Sequence, residues 1–185
     1  MMMIVLNGRP GAGKLTVGRL LAERTGARLL DAHTLYNLAF ALTDKGSKAF
    51  EDCVWKLRGI ARDSVLALPA NTPVVLTDAV FDDSAWGNVI WDDTIALARD
   101  RGGPFVVVIL DCDPAENERR LGSPERMGKR KPMDGSVLSP NRYERRPICR
   151  GADALLELDT TDLSADETAE RIETWLREGH LMPLL

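Results

Sequence analysis

A run of glycines that ends in a lysine near the beginning of the chain has the composition needed to hold phosphate groups. The run reads Gly8-Arg9-Pro10-Gly11-Ala12-Gly13-Lys14, which satisfies the pattern GxxxxGK. Glycines allow backbone N–H groups to turn inward around phosphate oxygens, and a helix that begins near Lys14 would add the positive end of its dipole. The lysine would place its charge on the terminal phosphates. The run therefore predicts a phosphate-binding loop.

The elements that must position this loop can be read from the hydrophobic pattern. An apolar strand precedes the loop and an amphipathic helix follows it, which is the context that the motif requires. Strand-like runs then alternate with helical patterns, which predicts βαβ units and a parallel sheet. The predicted strands are residues 2–6, 28–30, 74–77, 105–110 and 155–158. The predicted helices are residues 14–25, 48–68, 84–100 and 165–178.

Length and composition indicate one compact domain that spans residues 1–185. The chain is 44% hydrophobic and 28% charged, which are ordinary values for a globular protein. Cys53, Cys112 and Cys149 show no metal-binding spacing, which favours reduced thiols in a cytoplasm. The apolar residues at the beginning of the chain are too few for a signal peptide or a membrane span, so no membrane partner is expected.

Residues 8–16, GRPGAGKLT, resemble the GxPGAGKxT loop of the adenylate kinase and shikimate kinase group of P-loop kinases. In layout the chain is most similar to chloramphenicol phosphotransferase-like and shikimate kinase-like enzymes. The resemblance implies a three-layer α/β fold with a five-stranded parallel sheet in the order 2-3-1-4-5, a lid after strand four and an adenine site after strand five. It also implies ATP and Mg²⁺ as cofactors and transfer of the γ-phosphoryl group to a hydroxyl of a small molecule.

The loop and two later arginines supply the predicted contacts to the nucleotide. These are Gly8, Pro10, Gly11, Ala12, Gly13, Lys14, Leu15, Thr16, Arg119 and Arg120. The Ser or Thr that usually follows the lysine is replaced by Leu15, which cannot ligate Mg²⁺. Thr16 follows one place later and is predicted to contact the metal or its waters. The metal must therefore depend more on carboxylates elsewhere.

Two aspartates stand where predicted strands end, Asp31 after strand two and Asp78 after strand three. Ligands of an open parallel sheet lie beyond the carboxyl ends of its strands. Asp31 resembles the acid that contacts the acceptor in shikimate kinase-like enzymes, so we expect it to be the catalytic base together with Lys14 as the catalytic cation. Asp78 resembles a Walker B-type acid and is predicted to bind the metal's waters. Either aspartate could instead cap the next helix, and the choice of base between the two stays open.

Four residues after the same strands are predicted to contact the acceptor. His33 and Asn37 are four residues apart at the start of a helix and would share a face, which suits a polar neutral or nucleoside-like acceptor. His33 replaces the second acid of the DxD motif of shikimate kinase-like enzymes, which counts against shikimate. Asp82 and Trp86 follow strand three and would wall the pocket.

Basic residues concentrate in one segment of an acidic chain. The net charge is -4, yet residues 119–150 contain ten Lys or Arg against three Asp or Glu. We expect residues 122–140 to form a mobile basic lid, with Arg126 as a catalytic residue, because arginine neutralises charge that builds on a transferring phosphoryl group. Arg142, Arg145 and Arg146 are predicted on a short helix that returns to the sheet.

Two other functions fit the same loop. A nucleic-acid 5′-hydroxyl kinase, or a nucleoside or nucleotide kinase, would use it on a different acceptor, although the segment's only aromatic residue, Tyr143, supplies little stacking surface for nucleic acid. A nucleotide-binding regulatory protein with little catalysis would explain Leu15. The sequence identifies neither the acceptor nor the oligomeric state.

Overall fold

The computed structural model describes residues 2–123, 143–179 and 181. Within them, five parallel strands form one sheet in the order β2-β3-β1-β4-β5, which confirms the predicted order. The strands are β1 (Met3–Gly8), β2 (Arg28–Asp31), β3 (Val74–Thr77), β4 (Phe105–Asp111) and β5 (Ala154–Asp159).

The inner strands are continuous apolar runs because helices cover both faces of the sheet. All residues of β1 and β3 are buried, whereas the exposure of β5 alternates as expected of an edge strand. Leu6 is in register with Thr77 on one side and with Val108 on the other. The carboxyl ends of the strands therefore meet at one edge of the sheet, where the loops that follow them converge.

The described part of the chain has six helices, of which five connect the strands and the last follows β5. They are α1 (Lys14–Thr25), α2 (Ala32–Leu42), α3 (Lys48–Leu66), α4 (Ala85–Arg101), α5 (Pro114–Leu121) and α6 (Ala165–Glu178). Ser47, Ser84 and Ser164 cap three of them by accepting a backbone N–H of the first turn. The third helix ends two residues earlier than predicted, since Pro69 lies just beyond its last turn.

Two apolar cores lie on the two faces of the sheet. Met3 and Val5 join the core shared with α2, α3 and α4. Ile4 and Leu6 join the core shared with α1 and α6, because neighbouring residues of a strand point to opposite faces. The arrangement is the predicted three-layer α/β fold.

Residues 143–148, which we call the return segment, lead toward β5. Pro147 pairs antiparallel with Phe81, Ile148 N donates to the Val80 carbonyl (3.0 Å), and Asp82 N donates to the Arg146 carbonyl (3.1 Å). Tyr143 lies in a 3₁₀ turn, whereas Arg145 and Arg146 are not helical, so the predicted short helix is wrong for these two arginines. The backbone of Arg146 instead accepts from Asp82 N.

Some predictions fall outside the described residues or concern single features. Arg126, Arg142 and all of the predicted lid beyond Ser123 lie outside them. The three cysteines are free thiols. None of the described helices has the length and apolar composition needed to cross a membrane.

Candidate active site

One cleft of about 1250 Å³ lies over the carboxyl edge of the sheet. Its middle is formed by residues 9–14 of the phosphate loop, which we define as residues 8–14, together with Asp31 and Asp78. Gly8, a predicted nucleotide contact, does not line the cleft. One end is formed by residues 160–165 after β5 and by the last turn of α5, and the other end by side chains of α2 and α4. The cleft can therefore hold a phosphate chain between two separate ligand groups.

The phosphate loop ends at the beginning of α1, where no side chain caps the backbone amides of the first turn. Gly13 is the N-cap of α1 in a left-handed conformation (φ 82°), and no side chain caps this helix. Asp31, Ser47, Ser84, Asp113 and Ser164 cap the other helices of the described chain. The uncapped amides and the helix dipole make this end of α1 an anion site. Lys14 lies across the loop, and its Nζ donates to the carbonyls of Gly8 (2.7 Å) and Arg9 (2.8 Å).

At two positions of the loop, steric contacts explain why the residue is glycine. Gly8 has a φ of 148°, and a Cβ there would overlap the carbonyl oxygen of Leu110 in β4. Gly11 has a φ of 93°, and its Cβ would lie 2.7 Å from Nδ2 of Asn117, which donates to the carbonyl of Pro10 (2.9 Å). The loop is therefore pressed against β4 and α5. Pro10, Ala12, Leu15 and Thr16 also line the cleft, as the sequence predicted for nucleotide contacts.

Asp31 lines the cleft and also caps α2. Its Oδ2 accepts from the backbone N (2.9 Å) and Oγ1 (2.8 Å) of Thr34, and its Oδ1 accepts from Oγ1 of Thr77 (2.6 Å). Both readings of this residue in the sequence are therefore compatible, since one carboxylate can cap a helix and still border the cleft. The three hydrogen bonds fix its orientation.

Asp78 lines the cleft directly after β3. Its Oδ1 accepts from Ala79 N (2.8 Å), whereas its Oδ2 is buried and has no hydrogen-bond partner in the described chain. Burial raises the pKa of Asp78, and the positive charges of Arg58 and Lys14 oppose that rise. A buried carboxylate oxygen that borders the cleft is suited to a cation or to a water bound to one.

Arg58 and Tyr36 form a hydrogen-bonded pair near Asp78. The sequence analysis did not predict a role for either residue. Arg58 is buried and donates to Oδ2 of Asp93 (2.7 Å), Oγ1 of Thr94 (3.0 Å) and the hydroxyl of Tyr36 (2.7 Å). Burial raises the pKa of Tyr36 above its ordinary value, so its hydroxyl stays protonated. The signal in the sequence was a charged residue four places after Val54 on an apolar helix face.

The acceptor wall is the set of aromatic and aliphatic side chains, including one histidine, at the α2 and α4 end of the cleft. It consists of His33, Tyr36, Phe40, Val80, Phe81, Trp86 and Ile90. The rings of His33 and Phe40 lie 5.8 Å apart, and Trp86 meets Trp55 edge to face at 5.8 Å. Of the predicted acceptor contacts, His33 and Trp86 line the cleft, whereas Asn37 and Asp82 are exposed and do not border it. The roles of all four stay predictions.

Arg119 and Arg120 border the nucleotide end of the cleft. Both donate to Glu116, and these hydrogen bonds lower the pKa of Glu116 to about 2. Arg120 also donates to the hydroxyl (2.9 Å) and the carbonyl (2.6 Å) of Thr160. Arg120 therefore joins α5 to the segment predicted to hold adenine.

Taken with the parallel sheet, this loop and cleft define a P-loop nucleotide-binding protein of the α/β class. Residues 3–147 match the family described as "AAA domain", and the chain belongs to this family. The family and the relatives below fit the adenylate and shikimate kinase-like group of P-loop kinases, which confirms the resemblance seen in the sequence.

Relatives and solved structures agree on the fold and differ in substrate. A shikimate kinase of Thermobifida fusca is 31% identical over 181 residues, with 92% of each chain covered. A sugar kinase from Janibacter sp. HTCC2649 superposes with a TM-score of 0.62 at 18% identity, covering 100% of this chain and 99% of that one. APS kinase from Mycobacterium tuberculosis, in complex with AMPPNP and APS, gives 0.58 at 21% identity, covering 95% and 97%. These matches support an ATP-dependent small-molecule kinase over the two alternatives.

Proposed function

We propose that the protein transfers the γ-phosphoryl group of Mg-ATP to a hydroxyl of a small molecule whose apolar, ring-bearing face packs on the acceptor wall. The observation that carries this proposal is the single cleft in which the uncapped start of α1 and Lys14 stand between residues 160–165 and an aromatic wall. A nucleotide and an acceptor can meet there in line, which is the main requirement of phosphoryl transfer.

The donor end is assigned to the nucleotide. The amides of the phosphate loop and Lys14 would hold the β- and γ-phosphates, and residues 160–165 would border adenine. Arg120 is already fixed by Glu116 and Thr160. Arg119 is more exposed and has the freedom to turn toward a phosphate.

The residues present fit a magnesium ion. Asp78 offers a buried carboxylate oxygen without a hydrogen-bond partner, and Thr16 borders the same cleft. Mg²⁺ is commonly held by one or two carboxylates, phosphate oxygens and waters. When bound, the ion would neutralise the charge on the β- and γ-oxygens.

Asp31 is assigned to the acceptor's proton. The transfer breaks the bond between the γ-phosphorus and the oxygen that bridges it to the β-phosphate, and it forms a bond to the acceptor oxygen. The acceptor's hydroxyl proton passes to Asp31. Thr34 and Thr77 hold this carboxylate at the junction of β2 and α2, beside His33 of the acceptor wall.

The acceptor wall favours a hydroxyl compound with a flat or apolar face. Tyr36, Phe40, Phe81 and Trp86 present large rings there, and Asp31 with Asp78 supplies the negative charge nearby. Shikimate is a second candidate, because a relative at 31% identity is a shikimate kinase. His33 in place of a second acid stands against it.

A product screen tests the proposal. The purified protein, ATP and Mg²⁺ are incubated with shikimate, adenosine 5′-phosphosulfate, simple sugars, nucleosides and aromatic hydroxyl compounds such as chloramphenicol, and products are read by mass spectrometry. We expect one added phosphoryl group on a ring-bearing hydroxyl compound, with the rate lowered on the order of 10²-fold or more in Lys14→Ala. Tight AMPPNP binding without any product across the panel would favour the regulatory protein instead.

A further inference from the structure

Asn7 is a buried polar residue in an otherwise apolar strand, directly before the phosphate loop. Its side chain is 0% exposed and makes four hydrogen bonds. Nδ2 donates to the carbonyls of Val80 (2.9 Å) and Ile148 (2.9 Å). Oδ1 accepts from the backbone N of Gly8 (2.9 Å) and of Val80 (3.0 Å). Both donors and both acceptor positions are used, so the amide has one orientation.

The three partners of Asn7 belong to three different parts of the site. Gly8 begins the phosphate loop, Val80 belongs to the acceptor wall, and Ile148 ends the return segment. Val80 and Ile148 are also joined directly by a backbone hydrogen bond of 3.0 Å. Buried, fully satisfied side-chain networks of this kind hold their members in one arrangement.

The wall and the return segment are tied together beyond this point. Phe81 and Pro147 form an isolated bridge, and Arg145 makes two hydrogen bonds of 2.8 Å to Asp83 while its guanidinium lies 4.2 Å from the centre of the Phe81 ring. A displacement of residues 80–83 would therefore also displace the return segment, and the reverse.

We infer that Asn7 is a positioning residue that couples the phosphate loop to the acceptor wall and the return segment, so that nucleotide bound on the loop orders the wall. The coupling rests on the proposed nucleotide site. It passes from the Gly8 amide through Asn7 to Val80 and Ile148. A separate contact, from Arg9 Nη2 to the carbonyls of Tyr143 (2.7 Å) and Arg145 (3.3 Å), reaches the beginning of the return segment and does not involve Val80 or Ile148. Its effect is to hold the acceptor wall at a fixed place relative to the γ-phosphate.

Asn117 offers a matched comparison within the same site. It is also a buried asparagine that touches the phosphate loop, since its Nδ2 donates to the Pro10 carbonyl (2.9 Å). It lies on α5, and its Oδ1 accepts from the hydroxyl of Tyr143 (3.4 Å) at the beginning of the return segment. No described hydrogen bond joins it to Val80 or Ile148. Loss of Asn117 should therefore loosen the loop and leave the path to the wall in place.

Amide hydrogen exchange with and without Mg-AMPPNP tests the coupling. The reporters are the amides of Val80, Asp82 and Ile148, each of which is hydrogen-bonded in this network. In the wild-type chain we expect nucleotide to slow their exchange about fivefold or more, in the range typical of coupling between sites. In Asn7→Leu the phosphate loop should still respond, while the three reporters should exchange at the same rate with and without nucleotide. Asn117→Ala should keep the response of all three reporters.

The ratio of the exchange rate without nucleotide to the rate with nucleotide distinguishes a positioning role from a purely structural one. A residue with only a structural role would speed exchange equally in both conditions and leave the nucleotide effect unchanged. Asn7→Ser serves where Asn7→Leu does not fold, because its small hydroxyl leaves room for water. The coupling would be overturned if the reporters still responded to nucleotide in Asn7→Leu or Asn7→Ser. It would also be overturned if they did not respond in the wild type although the loop did. Neither result would affect the proposed nucleotide site. A wild-type loop that shows no response to nucleotide would overturn the proposed nucleotide site as well.

Discussion

In the absence of metal, the stability of Asp78→Asn minus that of wild type should increase as the pH rises. This is expected although the replacement removes a residue assigned to the metal. Burial raises the pKa of Asp78 in the folded chain above that in the unfolded chain. Such a group contributes stability below its unfolded pKa, near 3.9, and that contribution is lost as the pH rises through the folded pKa. Asparagine does not titrate, so the variant keeps what wild type loses.

The size of the effect follows from linkage. Each unit by which burial raises the pKa corresponds to about 1.4 kcal/mol once both states are ionised. In a chain of this size that amounts to about 3–5 °C of melting temperature per unit. Asparagine also places an amide group where Oδ2 lacks a partner, which costs about 1–3 kcal/mol at every pH. The informative quantity is therefore the change with pH of the difference between variant and wild type.

Thermal melts between pH 5 and 9 in EDTA measure this difference. We expect the melting temperature of Asp78→Asn, minus that of wild type, to increase with pH and then level off. Asp82→Asn is the matched control, because it removes an exposed carboxylate from the same loop. A difference that does not change with pH would refute the assignment of a destabilising buried charge to Asp78. With Mg-AMPPNP in excess of EDTA, wild type should melt at a higher temperature than Asp78→Asn, because the wild-type carboxylate can bind the ion and the asparagine cannot.

Three further predictions concern the transfer itself. Lys14→Ala should keep a near wild-type melting temperature and lose turnover on the order of 10²-fold or more, because its half-exposed charge serves phosphates and not the core; a thermal melt beside the product assay checks both. Asp31→Asn should bind AMPPNP normally by calorimetry, lose turnover on the order of 10²-fold or more, and show no rescue by added Mg²⁺, whereas Asp78→Asn should be partly rescued. Gly11→Ala should weaken AMPPNP binding, since its Cβ would lie 2.7 Å from Asn117 and its φ is positive; equal affinity in calorimetry would contradict the loop geometry.

The donor half of the site could be predicted from the sequence because its determinants are close together along the chain. Residues 8–25 contain the loop, the lysine and the helix that follows, and local chemistry fixes all three. The sheet was equally legible, since continuous apolar runs such as Val74–Thr77 fit strands covered on both faces. The ends of β2 and β3 then gave Asp31 and Asp78 by position alone.

The electrostatic difference between those two aspartates could not be predicted in the same way. Asp31 is satisfied by Thr34 and by Thr77, and the second of these is 46 residues away. Asp78 has a buried Oδ2 atom without a hydrogen-bond partner, and Arg58 of α3 contributes to the electrostatic surroundings of this carboxylate. Both situations depend on how distant elements pack, and a sequence pattern reports only that each acid follows a strand.

Most of the acceptor wall could not be predicted from the sequence for a related reason. The same reason explains why the sequence does not identify the substrate. Its wall combines Tyr36 and Phe40 of α2, Trp86 of α4, and Val80 held by Asn7 and Ile148. Contacts of 73 and 141 residues along the chain are needed to bring the last three together. A change at any of these positions alters the pocket without changing the phosphate loop. Kinases that share this fold can therefore keep one donor site while their acceptors diverge, and the acceptor of this chain must be sought through the wall.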